Sequence, residues 1–265
     1  MKELFFQPKG IYYRINEFSP DKQTLIFVHG LTGSSSAWVE YEKKFEKNYN
    51  ILSYDLRGHG KSEKFKNYNN YEIGKFSEDI RDLMAHLNIE KSVMVSHSFG
   101  TLVALEFLSD NQNMVAASVF LSPFYNPRGR KSTKIMQPLI RLALKFFDFF
   151  PYTSKTGVHI DYSKYKNTGD WNARRTIADV RNTSLRVFLC CLSNFCEFSR
   201  ENFLDKINLP VLLIHGKNDT ISSVQNSIVM SNQIKNSSLV LLDNADHIIV
   251  LNNFPEVSRA IENFI

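Results

Sequence analysis

Cysteine is scarce in this chain: Cys190, Cys191 and Cys196 are the only three among 265 residues, and all sit in one short stretch. An odd, local set excludes the disulfide framework of a small secreted domain; reduced, buried thiols are expected. The seven histidines and three cysteines supply no C-x-x-C or H-E-x-x-H pattern, so no metal site is expected. Long apolar runs are missing as well. The longest, Val187 to Leu192, falls far below the roughly 18 residues that span a bilayer. The opening stretch MKELFFQPKGIYYRINEF has no apolar core of export-signal length, and Pro8 and Lys9 interrupt it early. These absences point to a soluble, cytoplasmic protein. Three Asn-x-Ser/Thr sequons, beginning at Asn182, Asn218 and Asn236, carry no weight in a chain that is not exported.

What is present is ordinary globular composition, 43% hydrophobic and 22% charged, without repeats or low-complexity tracts. The net charge of +5 and a pI near 9.0 raise the possibility of a nucleic-acid partner. Its distribution argues otherwise. Residues 123–205 hold 14 Lys/Arg against 7 Asp/Glu, leaving 18 basic and 20 acidic residues elsewhere. One segment is basic, and no nucleic-acid partner is expected.

Short apolar runs alternate with amphipathic stretches, the pattern of βα units around a mostly parallel sheet. LFF and GIYYRIN read as an N-terminal hairpin. TLIFVHG, NILSYD, KSVMVSH, VAASVFLS, PVLLIHG and SSLVLLD read as strands. SAWVEYEKKFEK, FSEDIRDLMAHLNI, TLVALEFLSD, VQNSIVMSNQI and FPEVSRAIENFI have helical spacing. From Pro123 to about Asp205 the rhythm stops. KIMQPLIRLALKFFDFF and TIADVRNTSLRVFLCCLSNF read there as aromatic-rich helices joined by polar loops. An interval this long is too large for a structureless loop. The expected organisation is a core in two parts, 1–122 and 206–265, with a helical cap at 123–205 inserted between strands 6 and 7.

Ser98 lies in VSHSFG, directly after one strand run and before a helical one. A sharp strand-to-helix turn would lift its hydroxyl above the sheet and leave the next backbone N–H at a helix start. Such a turn needs small residues two before and two after the serine, here Ser96 and Gly100. A serine hydroxyl also needs a base and support for the developing oxyanion. His247, beyond the last strand, is the candidate base. Asp219, at the end of the preceding strand, is the candidate acid, with Asp243 and Asp246 as competitors. Singly, each has a duller reading as a turn former or core residue; together they stand at three predicted strand ends in nucleophile–acid–base order.

With FVHGLTGSSSAW (Phe27–Trp38) and YDLRGHGKS (Tyr54–Ser62), the chain resembles a serine hydrolase of the α/β-hydrolase superfamily with a helical cap, over nearly its whole length. Ser96 departs from the family's usual glycine. The resemblance implies that Leu31 and Phe99 donate backbone N–H groups to an oxyanion. It also implies that His29, Asp55, Arg57 and His59 brace loops rather than react. His97 and His215 read as packing or supporting residues. DLRGHGKS nearly matches a phosphate-binding loop, but Asp55 stands where the first glycine belongs and no helix pattern starts at Lys61.

Ile135, Leu139, Leu142, Phe146, Phe147 and Phe150 trace an apolar helix face in the insertion, with Lys134, Arg141 and Lys145 around it. One reading is a cap packed on the core with solvated cations. The other is a lid over an acyl pocket whose basic exterior makes weak contact with anionic lipid, or meets a carboxylated substrate. The function expected is cofactor-free cleavage of carboxylic esters with small to medium acyl chains, through an acyl-enzyme. A monoacylglycerol-type lipase is the nearest rival, with amide, lactone or C–C hydrolases of the same fold and a non-catalytic receptor behind it. Epoxide hydrolases and haloalkane dehalogenases of the superfamily use Asp as nucleophile, and Ser98 argues against both.

Overall fold

Continuous β-branched and apolar runs form the centre of the molecule, whose computed structural model describes residues 1–147, 149 and 152–265. Phe150, assigned above to an apolar helix face, lies outside the described residues. In chain order the strands are β1 (Lys2–Phe6), β2 (Ile11–Ile15), β3 (Thr24–Val28), β4 (Asn50–Tyr54), β5 (Ser92–His97), β6 (Val115–Leu121), β7 (Val211–Gly216) and β8 (Ser237–Leu242). They join in one sheet of order β1-β2-β4-β3-β5-β6-β7-β8. β1 and β2 form the expected hairpin through Gly10, whose φ of +65° suits glycine. β2 also runs antiparallel to β4, and the remaining pairings are parallel.

The helices among the described residues are α1 (Val39–Phe45), α2 (Ile73–His86), α3 (Phe99–Asn111), α4 (Lys131–Phe147), α5 (Ala173–Thr183), α6 (Leu185–Glu197), α7 (Gln225–Gln233), α8 (Ile249–Asn252) and α9 (Phe254–Phe264). They explain why β3, β4, β5 and β7 are buried at every position rather than at alternate ones: both faces are covered. Along β3, Leu25 and Phe27 pack with Trp38, Tyr41 and Ile261 on one face, while Ile26 and Val28 pack with Ile80, Leu83 and Leu102 on the other. Full burial of each large side chain here contributes on the order of 1.5–3 kcal/mol. None of these helices is long and apolar enough to cross a membrane.

The insertion lies between β6 and β7, as expected, and carries α4, α5 and α6, with α4 packed along α6. TIADVRNTSLRVFLCCLSNF is not one helix. Ser184 breaks it with φ +79°; its N–H donates to Val180 O, and its hydroxyl oxygen accepts from Val187 N–H at the start of α6. A serine that caps the following helix ends the preceding one. Cys190, Cys191 and Cys196 are buried on α6, and none of them is in a disulfide.

Candidate active site

The parallel strands all end at one rim, and the loops leaving it carry the predicted site. Between β5 and α3, Ser98 is held at φ 53°, ψ −116°, a strained conformation for a residue with a side chain. Its N–H donates to Leu121 O at 3.0 Å, and the Thr101 hydroxyl donates to its carbonyl at 2.6 Å. A Cβ on Gly100 would stand 2.7 Å from the carbonyl oxygens of both Val28 and His29, so the helix reaches β3 this closely only through glycine. Ser96 is fully buried with its hydroxyl 3.4 Å from Val119 O on β6, and the turn accommodates this departure from the family's glycine.

Residues 98, 219 and 247, far apart in sequence, meet. His247 Nε2 lies 2.8 Å from Ser98 Oγ, and His247 Nδ1 lies 2.8 Å from Asp219 Oδ2. Burial works against the Asp219 carboxylate, but hydrogen bonds from His215, His247 and the Ser222 N–H hold it well below the ordinary carboxylate range. Asp219 is therefore ionised at neutral pH and accepts the Nδ1 proton, which leaves the Nε2 lone pair facing the serine. The competing acids are occupied elsewhere. Asp243 pairs with Lys217, and Asp246 accepts from Ile248 N–H and Asn252.

Leu31 and Phe99 both line the cavity beside Ser98. Phe99 is the first residue of α3, where a backbone N–H has no partner within its own helix. The loop around Leu31 is fixed by His29, which donates from Nδ1 to Gly30 O and accepts the Leu56 N–H at Nε2. Burial lowers its pKa to about 4, so this imidazole stays neutral. His59 is likewise buried, lowered to about 3, with Nδ1 against Arg57 O. Asp55 accepts from Ser35, Lys61 N–H and His159; despite burial, these partners hold its carboxyl at about 2. Arg57 makes a buried two-pronged pair with Asp79, at 2.7 and 2.5 Å. All four residues brace loops, the role the resemblance implies.

His97 does more than pack. Its Nε2–H donates to His247 O at 2.9 Å, and burial lowers its pKa to about 3. His215 goes beyond its expected supporting part: it is fully buried with Nε2 3.1 Å from Asp219 Oδ2, in direct contact with the acid. Asp170, from the insertion, was not singled out by sequence reasoning at all. Its Oδ1 accepts the His247 N–H at 2.7 Å, and its Oδ2 accepts from Thr220 N–H and hydroxyl at 2.8 and 2.6 Å. Thus one carboxylate ties together the loop that carries Asp219 and the loop that carries His247. No sequence signal marks it, because it lies 77 positions from His247 in a segment without strand periodicity.

Over the triad-like cluster is a cavity of about 590 Å³. Leu31, Trp38, Phe124, Met136, Phe188 and Phe195 give it apolar walls, and Arg130, Asp170, Arg175 and Asp179 reach it from the insertion. Burial raises the Asp179 carboxyl to about 6, against a hydrogen bond from Tyr162 and the charge of Arg175.

A parallel sheet wrapped by helices, with a strained serine at the end of its central strand, defines the class. The family model for the alpha/beta hydrolase fold matches residues 23–254, and the chain belongs to that family of hydrolases. Among curated relatives it is similar to epoxide hydrolase 1 of Caenorhabditis elegans, 22% identical over 93% of this chain and 66% of the relative. It is also similar to 3-oxoadipate enol-lactonase 1 of Acinetobacter baylyi, 23% identical over 91% and 86%. Of solved structures, the alpha/beta hydrolase MGS-M2 from a Medee basin deep-sea metagenome library superposes with a TM-score of 0.76 at 21% identity, covering 99% and 96% of the two chains. A thermophilic esterase from Thermogutta terrifontis gives 0.73 at 18% identity, covering 96% and 92%. At these identities the structural likeness speaks for the fold.

Proposed function

We propose that the protein is a serine hydrolase cleaving carboxylic esters with small to medium acyl chains, Ser98 being nucleophile, His247 base and Asp219 acid. The observation that carries this reading is the continuous hydrogen-bond chain Ser98–His247–Asp219, at 2.8 and 2.8 Å. In the proposed reaction His247 Nε2 removes the hydroxyl proton as Ser98 Oγ attacks the ester carbonyl. The Leu31 and Phe99 N–H groups receive the oxyanion, and Asp219 steadies the imidazolium. The imidazolium then protonates the departing alcohol. Water enters, gives its proton to His247, and releases the acid from Ser98. We read residues 123–205 as the cap of this enzyme and the cytoplasm as its location, a compartment that suits three buried cysteines outside any disulfide.

Replacing Ser98 by alanine is expected to lower kcat by at least roughly 10³-fold while the fold persists. A fluorophosphonate probe should label the wild type and not S98A. Labelling that survives in S98A would remove Ser98 from the chemistry, and a panel of nitrophenyl esters of rising chain length reads the acyl preference.

A lipase-like variant of this reading is favoured by α4. Ile135, Leu139 and Leu142 on its outer side are 68%, 64% and 66% exposed, on a helix that carries four basic residues and no acidic one. Contact of that face with anionic lipid would bring the cavity beneath it to an acyl substrate in a bilayer.

A further inference from the structure

Four charged side chains from the insertion reach the cavity, and three of them are already engaged. Asp170 accepts the three hydrogen bonds from His247 and Thr220. Arg175 donates to Thr168 Oγ1 at 3.0 Å and to Asp170 O at 2.7 Å. Asp179 accepts from the Tyr162 hydroxyl at 3.0 Å and faces the charge of Arg175. Arg130 differs. Its guanidinium lies over the Phe124 ring, 4.9 Å from the centroid, and no carboxylate among the described residues forms an ion pair with it. The same ring stands 6.2 Å from the His247 ring. One aromatic side chain thus separates an unpaired cation from the imidazole that faces Ser98. The acid on that side, Asp219, has its oxygens committed to His247, His215, Ile221 and Ser222.

We propose that the cavity binds ester substrates carrying an anionic group, and that Arg130 is the residue that holds that group. This rests on the ester-cleaving reading above and names a substrate class for the same site. A half-buried cation has lost part of its hydration and gains most from a partner that restores it. Contact with the Phe124 ring satisfies none of the guanidinium's N–H donors, which match a carboxylate or phosphate in two-pronged fashion. The apolar walls exclude water and strengthen the pairing. A purely hydrocarbon acyl chain would leave the cation as it stands, unpaired. The anion has two possible sources: a carboxylate at the far end of the acid, or a phosphate on the alcohol.

The test compares matched pairs. 4-Nitrophenyl pentanoate is set against the mono-4-nitrophenyl ester of glutaric acid, and pentanoyl glycerol against pentanoyl glycerol 3-phosphate. The readout is the anionic-to-neutral ratio of kcat/KM in wild type, Arg130→Met and Arg130→Lys. Methionine keeps an unbranched stem over Phe124 without charge, and lysine restores charge without the fork. A ratio above one in the wild type that falls roughly 10- to 100-fold in R130M and recovers in part in R130K is expected, in the glutarate pair or the phosphate pair according to source. Ratios equal in wild type and R130M for both pairs overturn the proposal. Calorimetric binding of glutarate and of glycerol 3-phosphate separates this outcome from failure of the parent reading. If wild type cleaves none of the esters, the ester reading falls, yet anion binding lost in R130M still upholds the site. Binding of neither anion to the wild type overturns it.

Discussion

Asp170 touches no reacting atom in the proposed chemistry, yet it accepts from the backbone of His247 and from both donors of Thr220. Both carboxylate oxygens face donors only. An asparagine there would turn an NH2 group toward one of them, leaving a buried donor without an acceptor. Asp170→Asn is therefore expected to lower kcat by about 10- to 100-fold while moving KM only a few-fold, as steady-state kinetics on a nitrophenyl ester will read. A lower melting temperature with kcat unchanged well below it would reduce Asp170 to a structural tie. The contrast with Ser98, Asp219 and His247 is instructive about legibility. Those three follow strands whose apolar runs are plain in the sequence, so their placement at one rim could be inferred from strand order alone. Asp170 and Arg130 sit in irregular backbone, His215 looks like any buried strand residue, and only folding brings them to the site.

At the level of elements, all eight strands and the longer core helices were legible, because apolar runs and amphipathic spacing announce them; α8, four residues long, is too short to show a helical period. The break at Ser184 was not: the apolar spacing of Ile177, Val180 and Val187 runs across it, and a serine whose hydroxyl caps the next helix resembles any helical serine. α4 was legible as an amphipathic helix, and its outward side is the apolar one. Lys131, Lys134, Arg141 and Lys145 lie along one edge of that side; Arg141 pairs with Glu197 of α6, but no acid lies in α4 itself, so a second copy docking face to face would bring like charges together, whereas an anionic bilayer would not. The protein is expected to sediment with phosphatidylglycerol vesicles and not with phosphatidylcholine ones. Half-molar salt should release it. Leu139→Glu combined with Leu142→Glu should weaken the binding at least about tenfold. Equal sedimentation with both vesicle types would remove the electrostatic part of the idea, and equal binding by the double variant would remove α4.

For the molecule as a whole, acid is the expected weak point. His29, His59 and His97 are held neutral by burial, at about 4, 3 and 3, below the ordinary 6.5. Between those values and 6.5 the unfolded chain binds protons that the folded one refuses. Stability thus falls as pH drops through this window, by up to about 1.4 kcal/mol per pH unit for each group. Asp179 acts in the opposite sense: raised to about 6, it takes up a proton in the folded state first, so its contribution falls as pH rises from about 4 to 6. Asp79, Glu106 and Asp246, also raised by burial, oppose in the same sense, but the three large histidine shifts outweigh them, and melting temperature is expected to decline from pH 6.5 to 4.5; a flat profile would mean that these imidazoles are not sealed from protons. The division of labour between sheet and insertion has a further consequence for engineering. Because Asp170 hangs the His247 loop from the roof, a chimaera that grafts a foreign roof onto this sheet would misplace His247 itself unless the graft supplies an equivalent carboxylate. Under the proposed chemistry, exchanging the roof to alter selectivity would then yield an idle protein rather than a redirected catalyst.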